Sequence, residues 1–391
     1  MCGRIRKVNV QVGESSSSAL GGVGATAVFR PRKIMLFHSG SIGDTVIVFP
    51  MLRAVRRKWP DSEIVLFTYS GYSGVSCVRE LTLPSGLVDR VGGFTASGSK
   101  IGIVARLIAA TWRIRKERFD LAVNINRTAT AHYALRMKLW RWWCRLCGIG
   151  RCLGDKALFI FPPRRRGVPP PAVPHHLDMI AARLEADGIV VDDRRIDLCL
   201  TDAEIARARE IWSGKIAGGK IPVAVGVGGK QLRWGMEKFE ELFRRTASLG
   251  IFPVFFGGRE NSPEIEVAIS RLGFGFNAAA AGLAGLRETV AFMAHCRFYV
   301  GNDTGTLHMA VAAGLKCVGI YSAHNYPACW DPYGEGHIVL KHDTPCAGCL
   351  KTSCPLGHAA CIEDIGVDEV EAAVRRMCGQ ATGGENKHAA G

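Results

Sequence analysis

No stretch of this 391-residue chain reaches the ~18 consecutive apolar residues that a membrane-spanning helix needs, and its N-terminus lacks the continuous apolar core of a signal peptide. A cytoplasmic protein is expected, bound to a membrane at most peripherally, on its inner face. The motif Asp-x-Asp, an acidic pair that would hold a divalent cation against a diphosphate, does not occur either. The net charge of +15 comes with no helix-turn-helix, RNA-recognition or zinc-finger pattern, so a nucleic-acid-binding protein would lack any base-reading element. Acid is scarcest between residues 100 and 152, where twelve Lys and Arg stand against only Glu117 and Asp120. That segment should face something anionic, whether phospholipid, nucleic acid or a phosphorylated glycan. Fourteen cysteines in a chain this long do not make a disulfide scaffold, and most should be buried thiols.

What is present is an alternation of apolar runs and amphipathic stretches. Residues 1–30 show neither period and read as a flexible extension, as do 379–391 at the other end. Strand-like runs at 33–38, 63–68, 119–125 and 154–161 alternate with helical patterns at 45–58, 101–118, 131–147 and 175–187. After a helix at 202–213 the pattern restarts. Strands at 221–227, 252–256, 298–300 and 317–321 are separated by helices at 236–249, 262–272, 286–295 and 306–313. The order predicts two α/β units with parallel sheets, 31–205 and 206–378, and a ligand cleft between them at the carboxyl ends of the strands.

Two strand-to-helix turns carry the chemistry. In Gly301-Asn302-Asp303-Thr304-Gly305-Thr306-Leu307-His308, Asp303 or Thr304 can cap the helix, and Gly305 lets a ligand approach backbone N–H groups at the positive end of the dipole. This is an anion site suited to a diphosphate. The upstream turn, Ser39-Gly40-Ser41-Ile42-Gly43-Asp44, exposes a carboxylate; its other reading is a helix N-cap. Together with Pro50 and the segment around Trp234, Ser41-Ile42-Gly43-Asp44 and Asp303-Thr304-Gly305 with His308 resemble the family 9 glycosyltransferases, the lipopolysaccharide heptosyltransferase family, over about 33–378. The resemblance implies a GT-B fold of two Rossmann-like domains, the first for the acceptor and the second for the nucleotide-sugar. It also implies an inverting, metal-independent transfer of a heptose or related sugar, from a donor such as ADP-heptose to a lipopolysaccharide core or other glycan or lipid-linked acceptor. Asp44 would be the base, with Ser41 and Gly43 on the acceptor side. Asp303, Thr304, Gly305 and His308 would hold the donor, and Glu260 the ribose. Family members carry a Lys two residues before a Trp-Pro pair. Here that place is Leu232, so Lys230 or Arg233 would have to supply the cation; Arg233 reads equally as a surface charge beside a packed tryptophan. No cofactor is required.

The alternatives are a two-domain sugar-nucleotide epimerase, which would act without an acceptor, and the nucleic-acid-binding protein. Cys346, Cys349, Cys354 and Cys361 have the spacing of a small zinc loop, and could equally be free or paired thiols. On the helix over 133–146, Leu135, Leu139, Trp142 and Leu146 form one stripe, expected to pack on the core. Lys138, Arg141 and Arg145 lie beside it, a composition that also suits an anionic membrane surface.

Overall fold

Lys33–His38 (β1) is buried at almost every position, as expected of a parallel strand covered by helices on both faces. It is the middle of a five-stranded parallel sheet ordered β3-β2-β1-β4-β5, with β2 at Glu63–Ser70, β3 at Arg90–Thr95, β4 at Leu121–Asn124 and β5 at Cys152–Leu153. A second parallel sheet, ordered β11-β10-β9-β6-β7-β8, holds β6 Ile221–Gly226, β7 Ile251–Phe256, β8 Phe276–Asn277, β9 Tyr299–Asn302, β10 Cys317–Tyr321 and β11 Ile338–Lys341. In each sheet the order reverses beside the central strand, β1 or β6, and such switch points are where α/β sheets open their ligand crevices. The computed structural model describes residues 29–70, 74–95, 99–127, 133–159, 161–162, 168–215, 219–229, 232–283 and 285–380. Of these, the residues from Pro31 onward belong to one compact unit.

The helices around the first sheet are α1 Ile42–Val46, α2 Phe49–Lys58, α3 Gly74–Thr82, α4 Lys100–Glu117, α5 Tyr133–Leu146 and α6 His176–Glu185. Then come α7 Asp202–Lys215, α8 Met236–Thr246, α9 Ser262–Leu272, α10 Leu286–Met293, α11 Gly305–Ala312, α12 Ala360–Glu363 and α13 Val367–Gln380. Arg287 of α10, only 3% exposed, ties the two halves together. It donates to the carbonyls of Leu81, Leu198 and Cys199 and pairs with Glu204 at 2.6 Å, so the buried charge is saturated.

Three expectations change. The helix foreseen over 45–58 is two helices parted at Ile47–Val48, because Pro50 sits in the first turn of α2, where its missing N–H has no intrahelical partner to lose. The strand foreseen over 154–161 is only Cys152–Leu153; Gly154, at φ +74°, turns the chain off the sheet. The leucine stripe of α5 does not pack on the core: Leu135, Leu139, Trp142 and Leu146 are exposed, and Trp140 and Cys144 are buried in their place. The indole of Trp140 covers more of the aromatic sheet face of Phe37 and Phe67 than a leucine could.

Candidate active site

The chain leaves β1 through Ser39–Ser41 and enters α1, which puts Asp44 at the third helical position rather than at the cap. Its Oδ2 accepts from the backbone N–H of Ser41 at 2.7 Å and from Ser41 Oγ at 2.9 Å. Oδ1 is buried and makes no hydrogen bond, with Arg127 Nε 3.5 Å away. One oxygen is thus pinned by Ser41, while the other makes no hydrogen bond and faces the Arg127 guanidinium. Gly40 makes room for it, since a Cβ there would stand 2.3 Å from Asp44 Cβ.

The chain leaves β9 in the same way. Asn302 Oδ1 accepts from the N–H of Trp234 at 2.8 Å and its Nδ2 donates to the Trp234 carbonyl at 3.3 Å, fastening the loop after β6 to the end of β9. Trp234 is anchored in turn by Nε1 donating to the carbonyl of Ile365 at 2.9 Å. Thr304 is the N-cap of α11, and its hydroxyl lies 2.8 Å from that of Thr306, which lies 3.1 Å from Tyr299 OH. Burial, with the charge of Asp331 nearby, pushes the Asp303 carboxyl up to about 7.

The two turns touch. A Cβ on Gly43 would stand 2.8 Å from the His308 ring, and one on Gly305 would stand 3.2 Å from Ile42 Cβ and 3.5 Å from the backbone N of Gly43. Gly305 therefore also eases the close approach of α1, a constraint separate from the ligand approach expected of it. His308 is buried between Gly43 and the ring of Trp330, 5.6 Å away, and burial holds its imidazole down to about 4. His38 and His176 are likewise held to about 4 and His175 to about 3, each chiefly by burial, so all four rings are neutral at neutral pH.

A cleft opens on each side of this contact, with Thr304 and Gly305 lining both. One, about 720 Å³, holds Ser41, Asp44, Arg127, Arg136, His176 and Asp303. The other, about 990 Å³, holds Gly228, Gly229, Arg233, Gly258, Glu260 and Thr306, with Ile42 and Glu80 from the first sheet's side.

Residues 179–360 match the family model described as glycosyltransferase family 9 (heptosyltransferase). Over those residues, a little under half of the chain, the protein is similar to glycosyltransferase family 9. The solved structure of a family 9 glycosyl transferase from Veillonella parvula covers 89% of this chain and 98% of its own, with a TM-score of 0.69 at 18% identity. The ADP-heptose LPS heptosyltransferase II of E. coli covers 90% and 99%, with a TM-score of 0.60 at 14% identity. Both carry the two-domain fold. A lipooligosaccharide heptosyltransferase 2 of Campylobacter jejuni is 26% identical over 93 residues, 24% of this chain. The match spans 28% of that relative's length.

The structure gathers Ser41, Gly43, Asp44, Asp303, Thr304, Gly305 and His308 at one contact, and sets Arg233 and Glu260 in the larger cleft. Arg233 is not a loose surface charge: its guanidinium forks onto Glu264 at 2.8 and 2.9 Å. Lys230 lies outside the described residues. Sequence reasoning did not single out Arg127, Arg136 or His176. Arg127 stands three residues past the end of β4, a strand-end position like that of Asp44, and that placement was the available signal. The thiols of Cys346, Cys349 and Cys354 help to push the Cys361 thiol up, after burial, so the four lie near one another. Among the described residues, however, no group of three or more His, Cys, Asp or Glu is arranged to hold a metal, and no step is assigned to one.

Proposed function

We propose that this chain is an inverting glycosyltransferase that moves a heptose or related sugar from a nucleotide-sugar, ADP-heptose being the leading candidate, to a lipopolysaccharide-core or other glycan or lipid-linked acceptor. The observation that carries the reading is Asp44: a carboxylate with one oxygen pinned by Ser41 and the other free of hydrogen bonds beside Arg127, set at the contact that separates two clefts. In the proposed step an acceptor hydroxyl in the smaller cleft attacks the anomeric carbon and gives its proton to Asp44 Oδ1. The new C–O bond forms as the bond to the diphosphate breaks, and the leaving nucleotide takes the electron pair. A single displacement inverts the centre. The nucleotide would lie in the larger cleft, its phosphates against the first turn of α11 and its ribose near Glu260. Arg127 and Arg136 in the smaller cleft suit an acceptor that carries carboxylate or phosphate groups.

The family supports glycosyl transfer, and the domain roles and the residue roles are part of the proposal. The test is donor turnover with and without acceptor. ADP-heptose should be consumed only when a glycan acceptor is present, and product should carry the inverted anomer. Turnover that proceeds equally without acceptor would favour the epimerase reading instead.

A further inference from the structure

The helices α4 and α5 lie side by side on one face of the first sheet. Ala110 and Ile114 of α4 share a core with Trp140 and Cys144 of α5, over Met35 and Val65 of the strands. Trp143 Nε1 donates to Thr111 Oγ1 at 2.9 Å, and Arg115 donates to the carbonyl of Leu146 at 2.8 Å. With their buried sides on the same sheet, the opposite sides of both helices look outward together. On α4 that outward side is Ile101, Val104, Ile108 and Trp112, spaced i, i+3, i+7 and i+11 and exposed by 84, 55, 55 and 64%. On α5 it is Leu135, Leu139 and Trp142, exposed by 56, 57 and 60%. Single exposed leucines need no explanation, but two adjacent helices that both turn an apolar stripe to solvent mark an interaction surface.

Charge decides what the surface fits. Arg113, Lys116, Lys138 and Arg145 stand on the same helices with no carboxylate partner among the described residues. The nearby acids are already engaged: Glu117 by Lys33 and Arg90, Asp120 by the backbone N–H groups of Arg32 and Lys33, and Asp155 by Arg141. A second copy would set basic face against basic face in a twofold contact, and nucleic acid would leave the aliphatic stripe unsatisfied. A bilayer with anionic headgroups takes both features at once, burying the stripe at the acyl boundary while Lys and Arg reach the phosphates and Trp112 and Trp142 sit at the interface. We propose that α4 and α5 form a docking face for an anionic phospholipid membrane. The same α5 carries Arg136 into the cleft that holds Asp44. Delivery of a lipid-linked acceptor along that helix rests on the transferase reading; the docking face does not.

The full chain is mixed with vesicles of phosphatidylcholine plus phosphatidylglycerol, or of phosphatidylcholine alone, and sedimented. It should pellet with the first and stay in solution with the second. Lys116→Gln, Lys138→Gln and Arg145→Gln together should weaken partitioning on the order of 100-fold, since each charge near an anionic surface contributes about fivefold. Trp112→Ser with Trp142→Ser should abolish pelleting at unchanged melting temperature, because both side chains are exposed. Failure of the wild-type chain to pellet with anionic vesicles, or equal pelleting with both kinds, overturns the proposal. So does a wild-type dimer that the double tryptophan variant converts to monomer, which would assign the face to a second copy. Titration with ADP on the same samples reads the transferase proposal separately: vesicle binding without nucleotide binding would sink that reading and leave this one standing.

Discussion

The turn after β1 and the turn after β9 are built to one plan and carry opposite chemistry. Each follows a buried parallel strand, opens a helix, and uses a glycine where the other turn comes close, Gly43 under His308 and Gly305 under Ile42. The first turn holds a carboxylate whose Oδ2 is fixed by Ser41 and whose Oδ1 makes no hydrogen bond and faces Arg127. The second offers a chain of hydroxyls, Thr304, Thr306 and Tyr299, and its own acid, Asp303, is driven toward the neutral form. The backbone thus presents side chains at each strand end, and under the proposed function those side chains would decide whether the turn accepts a proton or receives an anion.

The sharpest way to break the comparison is to exchange the two acids' roles. Asp44→Asn keeps the shape and the hydrogen bond from Ser41 but removes the proton acceptor, so transfer should fall by ~10²–10⁴ while nucleotide affinity holds. Asp303→Asn should cost transfer far less, although Asp303, at about 7, is nearer the pKa favoured for a base. Transfer rates for both variants decide it. If Asp303→Asn is the more damaging, the base belongs to the second turn and the assignment of roles is reversed.

Much of this pairing was legible in the sequence. Strand ends, the restart of the pattern near 220 and the two turn motifs are all local features, set by spacing along the chain. What was not legible is contact between distant elements. Nothing near Arg233 announces that Glu264, thirty-one residues on, takes its guanidinium. Nothing near Gly305 announces Ile42. On α5 periodicity correctly found an apolar stripe, but periodicity cannot say which of two apolar sides faces the sheet, and the tryptophan side won.

The next effect in size is steric. Gly305→Val sets a branched side chain where Ile42 stands 3.2 Å from the added Cβ, at the same turn where a phosphate would meet the first N–H groups of α11. Nucleotide affinity should weaken by ~2 kcal/mol, about 30-fold, from lost charge-assisted hydrogen bonds. The clash with Ile42 should also lower the melting temperature, at the ~1–3 kcal/mol typical of overpacking. Gly40→Ala is the control, since the atoms nearest its Cβ all belong to Asp44; it should impair transfer and leave nucleotide titration unchanged. Loss of nucleotide binding by Gly40→Ala, with Gly305→Val binding normally, would mean that donor and acceptor sides are interchanged.

A smaller effect should appear as a pH dependence of stability to which the buried rings at the contact between the turns contribute. His38, His176 and His308 titrate near 4 when folded, against about 6.5 unfolded. Below pH 6.5 the unfolded chain gains protons that the folded one refuses, so stability should fall as pH drops from 6.5 to 4, and His175, held to about 3, extends the loss below that. Asp303 works in the other direction, because its folded carboxyl keeps a proton up to about 7 that the unfolded chain releases near 3.8, so its contribution to stability falls as pH rises between those values. Melting curves should therefore show His308→Gln flattening the acid side and Asp303→Asn gaining on the wild type from pH 4 to 7. An Asp303→Asn variant whose melting temperature does not change between pH 6.5 and 4 would mean that the histidines are not buried as described.

The smallest expected effect is that of EDTA, and it bears on the second turn alone. A departing diphosphate needs its charge met. The groups available are the first-turn N–H groups of α11, the hydroxyls of Thr304 and Thr306, and a side-chain cation whose best-placed described candidate, Arg233, already shares its charge with Glu264. If these suffice, transfer in EDTA should run close to the untreated rate. Activity that disappears and returns with Mg²⁺ would show that they do not. Asp303 would then be the residue to examine first, because burial and the charge of Asp331 hold its carboxyl high, and a divalent cation beside it would relieve that. In that event Asp303→Asn, rather than Gly305→Val, would be the variant that weakens the nucleotide, and the second turn would be a cation site that binds its anion through the metal.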